Sequence, residues 1–215
     1  MNENNPARKR RGLMLVLSSP SGAGKTTLSR RLVGEDKGIS LSISWTTRPK
    51  RDGEENSEHY HFVSKEEFRK MRAQDGFLEW AEVHDNYYGS PKQLILDTLD
   101  AGRDVIFDID WQGAQQLSNS APADVVRVFI MPPSMKELKS RLIGRAQDSA
   151  ETIKKRMSNA YGEISRWETF NYVLVNEDLE DTYGKLKTIV AAERIRRRRQ
   201  PWIGGFVSGL LSEDT

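Results

Sequence analysis

The residues most able to do chemistry come early, in "SSPSGAGKTT" from Ser18 to Thr27. Gly22 and Gly24 let backbone N–H groups approach phosphate oxygens. Lys25 adds a point charge and Thr26 a hydroxyl of the kind that binds Mg²⁺, and a helix starting there would aim its dipole at an anion. The strict phosphate-loop pattern has a further glycine six residues before the lysine, where this chain has Ser19. Serine is small and tolerates many turn conformations, so the departure is mild. A ligand-free turn would not explain a lysine at a helix start, where a cation opposes the dipole.

A metal at such a loop needs carboxylates to organise its water shell. "DVIFDID" supplies Asp108 and Asp110, two residues apart and therefore expected on one face of an extended strand. A second group of polar residues lies in "TTRPKR", "HYHF" and "NYYGS", which hold Arg48, Arg51, Tyr60 and Tyr88. Arginine forks match phosphate oxygens and phenols add neutral donors, so the cluster reads as an anion site separate from the loop. Glu79 sits among apolar residues in "FLEWAE", where a lone carboxylate is costly. It can pair with an arginine, or accept the N1–H and exocyclic amine hydrogens of a guanine.

These groups need elements to hold them. "LMLVL" (13–17), "DVIFDI" (104–109), "VVRVFIM" (125–131) and "YVLV" (172–175) are short apolar runs, as expected of strands covered on both faces. Helical patterns follow or precede them at 24–33, 91–99, in "PSMKELKSRLIG", in "AETIKKRMSNAYGEISRW" and from Asp178 into the arginine run. The alternation predicts a three-layer α/β fold with a parallel core sheet. Between about 40 and 90 the texture changes to short alternating strands, turns and aromatics, with one helix announced by the capping-box spacing of Ser64 and Glu67. That stretch reads as a small mixed sheet inserted into the core.

The expected organisation is a flexible basic tail at 1–11, a core at 12–39 and 91–200 with a lid near 137–165, the insertion at 40–90, and a C-terminal tail at 201–215. With 215 residues, 30% of them charged, a net charge of +2 and no cysteine, the chain excludes disulfides, thiolate metal sites and a cysteine nucleophile. The apolar segments are too short to span a bilayer. The expectation is a cytoplasmic protein with no nucleic-acid or membrane partner, and the choice between monomer and homo-oligomer stays open. The arginine run Arg194–Arg199 reads as the dipole-complementing end of a long helix.

In order along the chain, "SSPSGAGKTTL", "TTRPKRDGE", "EHYHFV", "FLEWAEVHDNYYGS", "DIDWQGAQQ", "IMPPS" and "VNEDL" together resemble the guanylate kinase family, over about residues 13–194. The resemblance implies a P-loop kinase fold with a GMP-binding insertion and a helical lid, and transfer of the γ-phosphoryl of MgATP to GMP and to dGMP, in purine metabolism and GMP recycling. It places ATP phosphates on Ser19, Pro20, Ser21, Gly22, Ala23, Gly24, Lys25, Thr26 and Thr27, with Asn176 near the adenine. It puts the GMP phosphate on Arg48, Arg51, Tyr60 and Tyr88, and the guanine on Ser44, Glu79 and Asp108 with Ser90 beside them. It assigns Arg141, Arg145 and Arg156 to the lid, joining Lys25 and Arg48 as catalytic groups, and Mg²⁺ to Thr26 with Asp108 and Asp110 acting through water. Ala146 departs from the family's usual glycine in the lid. Two other readings compete: a scaffold domain of the same fold that binds phosphopeptides, and a P-loop kinase for a phosphorylated sugar.

Overall fold

A computed structural model describes residues 8–144 and 149–213. From the N-terminus the elements are β1 (Met14–Ser18), α1 (Lys25–Glu35), β2 (Ile39–Leu41), β3 (Trp45–Thr46), β4 (His61–Phe62), α2 (Lys65–Ala73), β5 (Phe77–Val83) and β6 (Asn86–Pro91). They continue with α3 (Lys92–Asp100), β7 (Asp104–Asp108), α4 (Trp111–Ser120), β8 (Val125–Met131), α5 (Met135–Ile143), α6 (Ala150–Ile164), β9 (Tyr172–Val175), α7 (Leu179–Arg194) and α8 (Ile203–Ser212).

All five residues of β1 are buried, and β1 runs parallel between β7 and β8. Alternation along the strand divides the core. Leu15 and Leu17 face Leu28 and Leu32 of α1 and Leu186 and Val190 of α7, whereas Met14 and Val16 face Ile95 and Leu99 of α3 and Leu117 of α4. The result is the expected three layers around a parallel sheet of order β2-β7-β1-β8-β9. Parallel register places Asp108 beside Leu17 and Phe129 beside Ser18, so β1, β7 and β8 deliver their C-terminal ends to one edge. Crevices of open α/β sheets lie at that edge.

A second sheet of order β4-β3-β6-β5 is mixed, with β3 and β4 parallel and the β3–β6 and β5–β6 pairs antiparallel. Helix α2 covers it. The capping box of Ser64 and Glu67 forms as expected, and Phe68 stacks on Phe77 at 4.4 Å and on Tyr87 at 5.3 Å between ring centres. The expected boundary at residue 40 falls inside β2, which pairs with β7 as the edge of the core sheet. Helices α5 and α6 pack on each other through Leu138, Leu142 and Ala160.

Both basic segments are part of the core's edge. Asp104 is fully buried and accepts from Arg10 at 2.6 and 2.9 Å, from the Leu13 N–H at 2.9 Å and from Arg194 Nε at 2.7 Å. Arg11 pairs with Asp100 and holds Asp124 at 2.8 and 2.7 Å. Arg199, 1% exposed, donates to the carbonyls of Gly12 and Asp124 at 3.2 and 3.3 Å. The expected tail at 1–11 is thus pinned at Arg10 and Arg11. Helix α7 ends at Arg194, and Arg199 turns back into the body instead of capping the dipole. The C-terminal segment is not a plain tail either, because 203–212 form α8, none of whose residues is buried, with the Arg8 guanidinium 4.9 Å from the Phe206 ring. Among the described residues no helix is long and apolar enough to cross a membrane.

Asp104→Ala is expected to cost about 3–5 kcal/mol, because it strips two arginines and a buried N–H of their acceptor. Urea denaturation measures it, and a loss below about 1 kcal/mol would show that the network is dispensable.

Candidate active site

The loop after β1 carries the first half of the site. Gly22 and Gly24 have φ of 95° and 105°, in the left-handed region where side chains are strained. Gly24 is constrained twice, since a Cβ there would stand 2.4 Å from Asn176 Nδ2. Ser19 does not enter the left-handed region, so this loop has no need of the glycine that the strict pattern demands. Its hydroxyl donates to the Pro20 carbonyl at 3.0 Å.

Helix α1 begins at Lys25, with Gly24 as its cap and no side chain on its first N–H groups. These donors, Lys25 and Thr26 open onto a cavity of about 310 Å³ that Asp108, Asp110, Trp111 and Glu163 also line. Lys25 pairs with Asp108. Asp110 does not share a strand face with it: β7 stops at Asp108, and Asp110 caps α4 by accepting from the N–H groups of Gln112 and Gly113 at 2.9 and 3.0 Å. The chain turns into a helix there, and the two-residue alternation of a strand ends with it. Both carboxylates still reach the cavity.

Asn176, at the end of β9, is 4% exposed and donates to the Ala23 carbonyl at 2.7 Å. Its amide is engaged with the backbone of the phosphate loop, which it also approaches at Gly24. Arg141 reaches the Asn176 carbonyl at 3.3 Å, and Arg156 Nη1 lies 3.3 Å from Ser21 Oγ. Two lid helices therefore lean arginines on this region. Arg145 and Ala146 lie outside the described residues.

The second half belongs to the insertion. Arg48 grips Glu54 with both Nη atoms at 2.7 and 3.0 Å, its guanidinium 5.4 Å from the Tyr60 ring centre, and Tyr60 meets Tyr88 edge-on at 6.0 Å. Glu54 also accepts from the Arg51 N–H at 2.8 Å. The Arg48 hydrogen bonds, followed by that of the Arg51 N–H, pull its carboxyl down to about 2. Sequence reading missed this partner, although Glu54 closes the "TTRPKRDGE" stretch; the signal was an acid six residues past Arg48 in a turn-rich loop. The Ser44 carbonyl accepts from the His61 N–H at 2.9 Å at the start of the same sheet.

Glu79 is 7% exposed on β5 and takes a 2.6 Å hydrogen bond from Ser90 on β6. It has no arginine partner among the described residues. Burial pushes its carboxyl above the usual range, Ser90's hydrogen bonds oppose this, and the charge of Asp110 adds to it. Its Oε2 lies 3.4 Å from where a Cβ on Gly113 would stand. The first turn of α4 thus joins the halves, with Asp110 facing the phosphate loop and Gly113 beside the buried acid.

The guanylate kinase family model matches residues 11–193. The chain is 54% identical over 205 residues to a guanylate kinase of Agrobacterium fabrum, covering 95% of this chain and 93% of that one. A guanylate kinase of Novosphingobium aromaticivorans is 55% identical over the same length, with the same shares covered. The crystal structure of guanylate kinase from Anaplasma phagocytophilum superposes with a TM-score of 0.72 at 36% identity, covering 94% of this chain and 97% of that one. The chain belongs to the guanylate kinase family, enzymes that transfer a phosphoryl group from ATP to GMP.

Proposed function

We propose that this protein transfers the γ-phosphoryl group of ATP to GMP, and also to dGMP, giving ADP and GDP or dGDP, as part of cytoplasmic purine recycling. The observation that carries the reading is a glycine-shaped phosphate loop facing, across one helical turn, a buried carboxylate that no arginine among the described residues neutralises. An anion-binding loop alone fits many kinases. The carboxylate offers guanine what a sugar would not need.

In this reading Ser19 through Thr27 hold the ATP phosphates, Lys25 neutralises charge on the transferring group, and Asn176 acts indirectly by fixing the Ala23 carbonyl. Arg48, Arg51, Tyr60 and Tyr88 hold the GMP phosphate, with Glu54 keeping Arg48 extended and oriented. Glu79 accepts from guanine N1–H and the exocyclic amine, Ser44 and Asp108 complete the base contacts, and Ser90 orients Glu79. Arg141, Arg145 and Arg156 close over the reacting phosphates from the lid.

The donors around Lys25 are hard oxygens, the Thr26 hydroxyl and the Asp108 and Asp110 carboxylates, and such a set suits Mg²⁺. When bound, Mg²⁺ supplies charge neutralisation across the ATP phosphates. A phosphate monoester has its second pKa at about 6, so the acceptor is largely dianionic at neutral pH and needs no general base. The work of the protein is to bring two polyanions into line and exclude water.

A coupled assay of ADP formation with GMP, dGMP, AMP, CMP and UMP tests this. Turnover should be confined to GMP and dGMP. Turnover with none of them would favour a phosphopeptide-binding module, and equal turnover with AMP would remove Glu79 from base recognition.

A further inference from the structure

We propose that Glu163 is a positioning residue for the metal-bound form of the donor nucleotide, acting through the water shell of Mg²⁺; the inference rests on the reading of the phosphate loop as an ATP site. Arg156, Ala160 and Glu163 share one face of α6. Ala160, 1% exposed, packs with Leu138 and Leu142 and fixes that face inward. At one end Arg156 touches Ser21. Two turns on, Glu163 lines the cavity with Lys25, Thr26, Asp108 and Asp110.

This end of the lid helix is fastened. Just beyond it, the Arg166 guanidinium lies 3.5 Å over the ring of Trp111, the residue after the Asp110 cap. Glu163 is therefore tied to the strand end that carries the other cleft carboxylates, whatever the far end of α6 does.

A carboxylate aimed into a polyphosphate cleft repels its substrate unless a cation stands between them. The other acids there are partly engaged: Asp108 pairs with Lys25, and one oxygen of Asp110 caps α4. Among the described residues the Glu163 carboxylate accepts no hydrogen bond from the protein. Its carboxyl is raised by burial, with Lys25 opposing and Asp110 adding. Nor do the described residues hold a group of three acidic or histidine side chains placed to ligate an ion directly. Mg²⁺ keeps several waters when it binds with phosphates, and those waters are donors in need of acceptors. A lid carboxylate lining the same cavity as Thr26 fits that requirement, and it makes the site discriminate MgATP from free ATP.

Calorimetric titration of ATP into the full-length protein, with Mg²⁺ and with chelator, measures the ratio of the two Kd values for wild type, Glu163→Gln and Glu163→Asp. Outer-shell partners are worth roughly 10–100-fold in metal affinity. In Glu163→Gln the ratio should fall about tenfold or more, with MgATP bound more weakly and free ATP bound as well or better; Glu163→Asp should recover part of it. An unchanged ratio, whether both Kd values weaken together or neither moves, overturns the assignment, the first outcome marking a direct nucleotide contact. Should wild type bind no ATP in either condition, the reading of the loop itself fails.

Discussion

Lys25→Ala lowers kcat for ADP formation by at least about 10³-fold while the protein stays folded and binds GMP as before. Removing one preorganised donor from a developing charge typically costs about 10²–10³, and a cation on the transferring phosphoryl group about 10³–10⁵. Stability should hold because Lys25 occupies the first turn of α1, where a positive side chain opposes the dipole. Its ion pair with Asp108 is partly open to water, with the two side chains 20% and 34% exposed. GMP affinity should hold within a small factor, because Glu79 and Ser90 lie on the second sheet and Arg48 in the loop after β3, leaving Asp108 as the one proposed base contact that Lys25 touches. Single-turnover kinetics, a thermal melt and GMP calorimetry together test the result. A variant that turns over like wild type would remove the loop from the mechanism.

Glu79→Gln should do the opposite kind of damage, leaving the phosphate chemistry and erasing the choice of base. Guanine presents N1–H and an exocyclic amine beside an acceptor oxygen, and a buried carboxylate accepts from both donors. A glutamine replaces one acceptor with a donor that faces a donor. Sites built on such bonds reject the wrong ligand by about 10⁴–10⁵. The variant should lose most of that ratio between GMP and AMP in kcat/KM, whereas Arg51→Ala weakens both together because their phosphates are identical. A base preference moved by Arg51→Ala and untouched by Glu79→Gln would reverse the assignment.

The same substitution carries a pH signature. Burial raises the folded-state pKa of Glu79 above its unfolded value of about 4.3, so the folded protein favours the protonated form. Wild type gains stability from this below the unfolded pKa and loses it as pH rises through the folded one. Glutamine does not titrate. The melting temperature of Glu79→Gln minus that of wild type should therefore increase from pH 4 upward and level off once Glu79 is ionised. A flat difference would show that the carboxyl is not desolvated.

The sequence disclosed most where a physical pattern is local. Continuous apolar runs marked β1, β7, β8 and β9, the Ser64 and Glu67 spacing marked α2, and the loop announced its own glycines. Edge strand β2 was absorbed into the insertion because its three residues, Ile-Ser-Leu, carry no period of their own. Helix α4 was passed over as a helix because "WQGAQQLSNS" offers glutamines, serines and a glycine in place of a charged face, and α8 because its glycines argue against a helix. Clusters formed at long range were beyond reach. Nothing local tells that Arg10 and Arg194 meet on Asp104, or that Asn176 supports Ala23. In the site, residue types were legible, but their pairings with Glu54, Ser90 and the α4 cap required the fold.

The buried aspartate at the head of β7 also has a meaning in the order of synthesis. Asp104 waits for one partner made 94 residues earlier and another made 90 residues later. As the chain leaves the ribosome, β1 and β7 can pair once both have emerged, but half of the acid's counter-charge is still untranslated. Arg199 arrives later still, to close over Gly12 and Asp124. A nascent chain stopped short of Arg194 would own a complete phosphate loop and an open seam beneath it. Among the described residues Asp104 would then keep Arg10 and the Leu13 N–H as donors and lack Arg194, so the fold's stability is completed by the residues translated after the site itself.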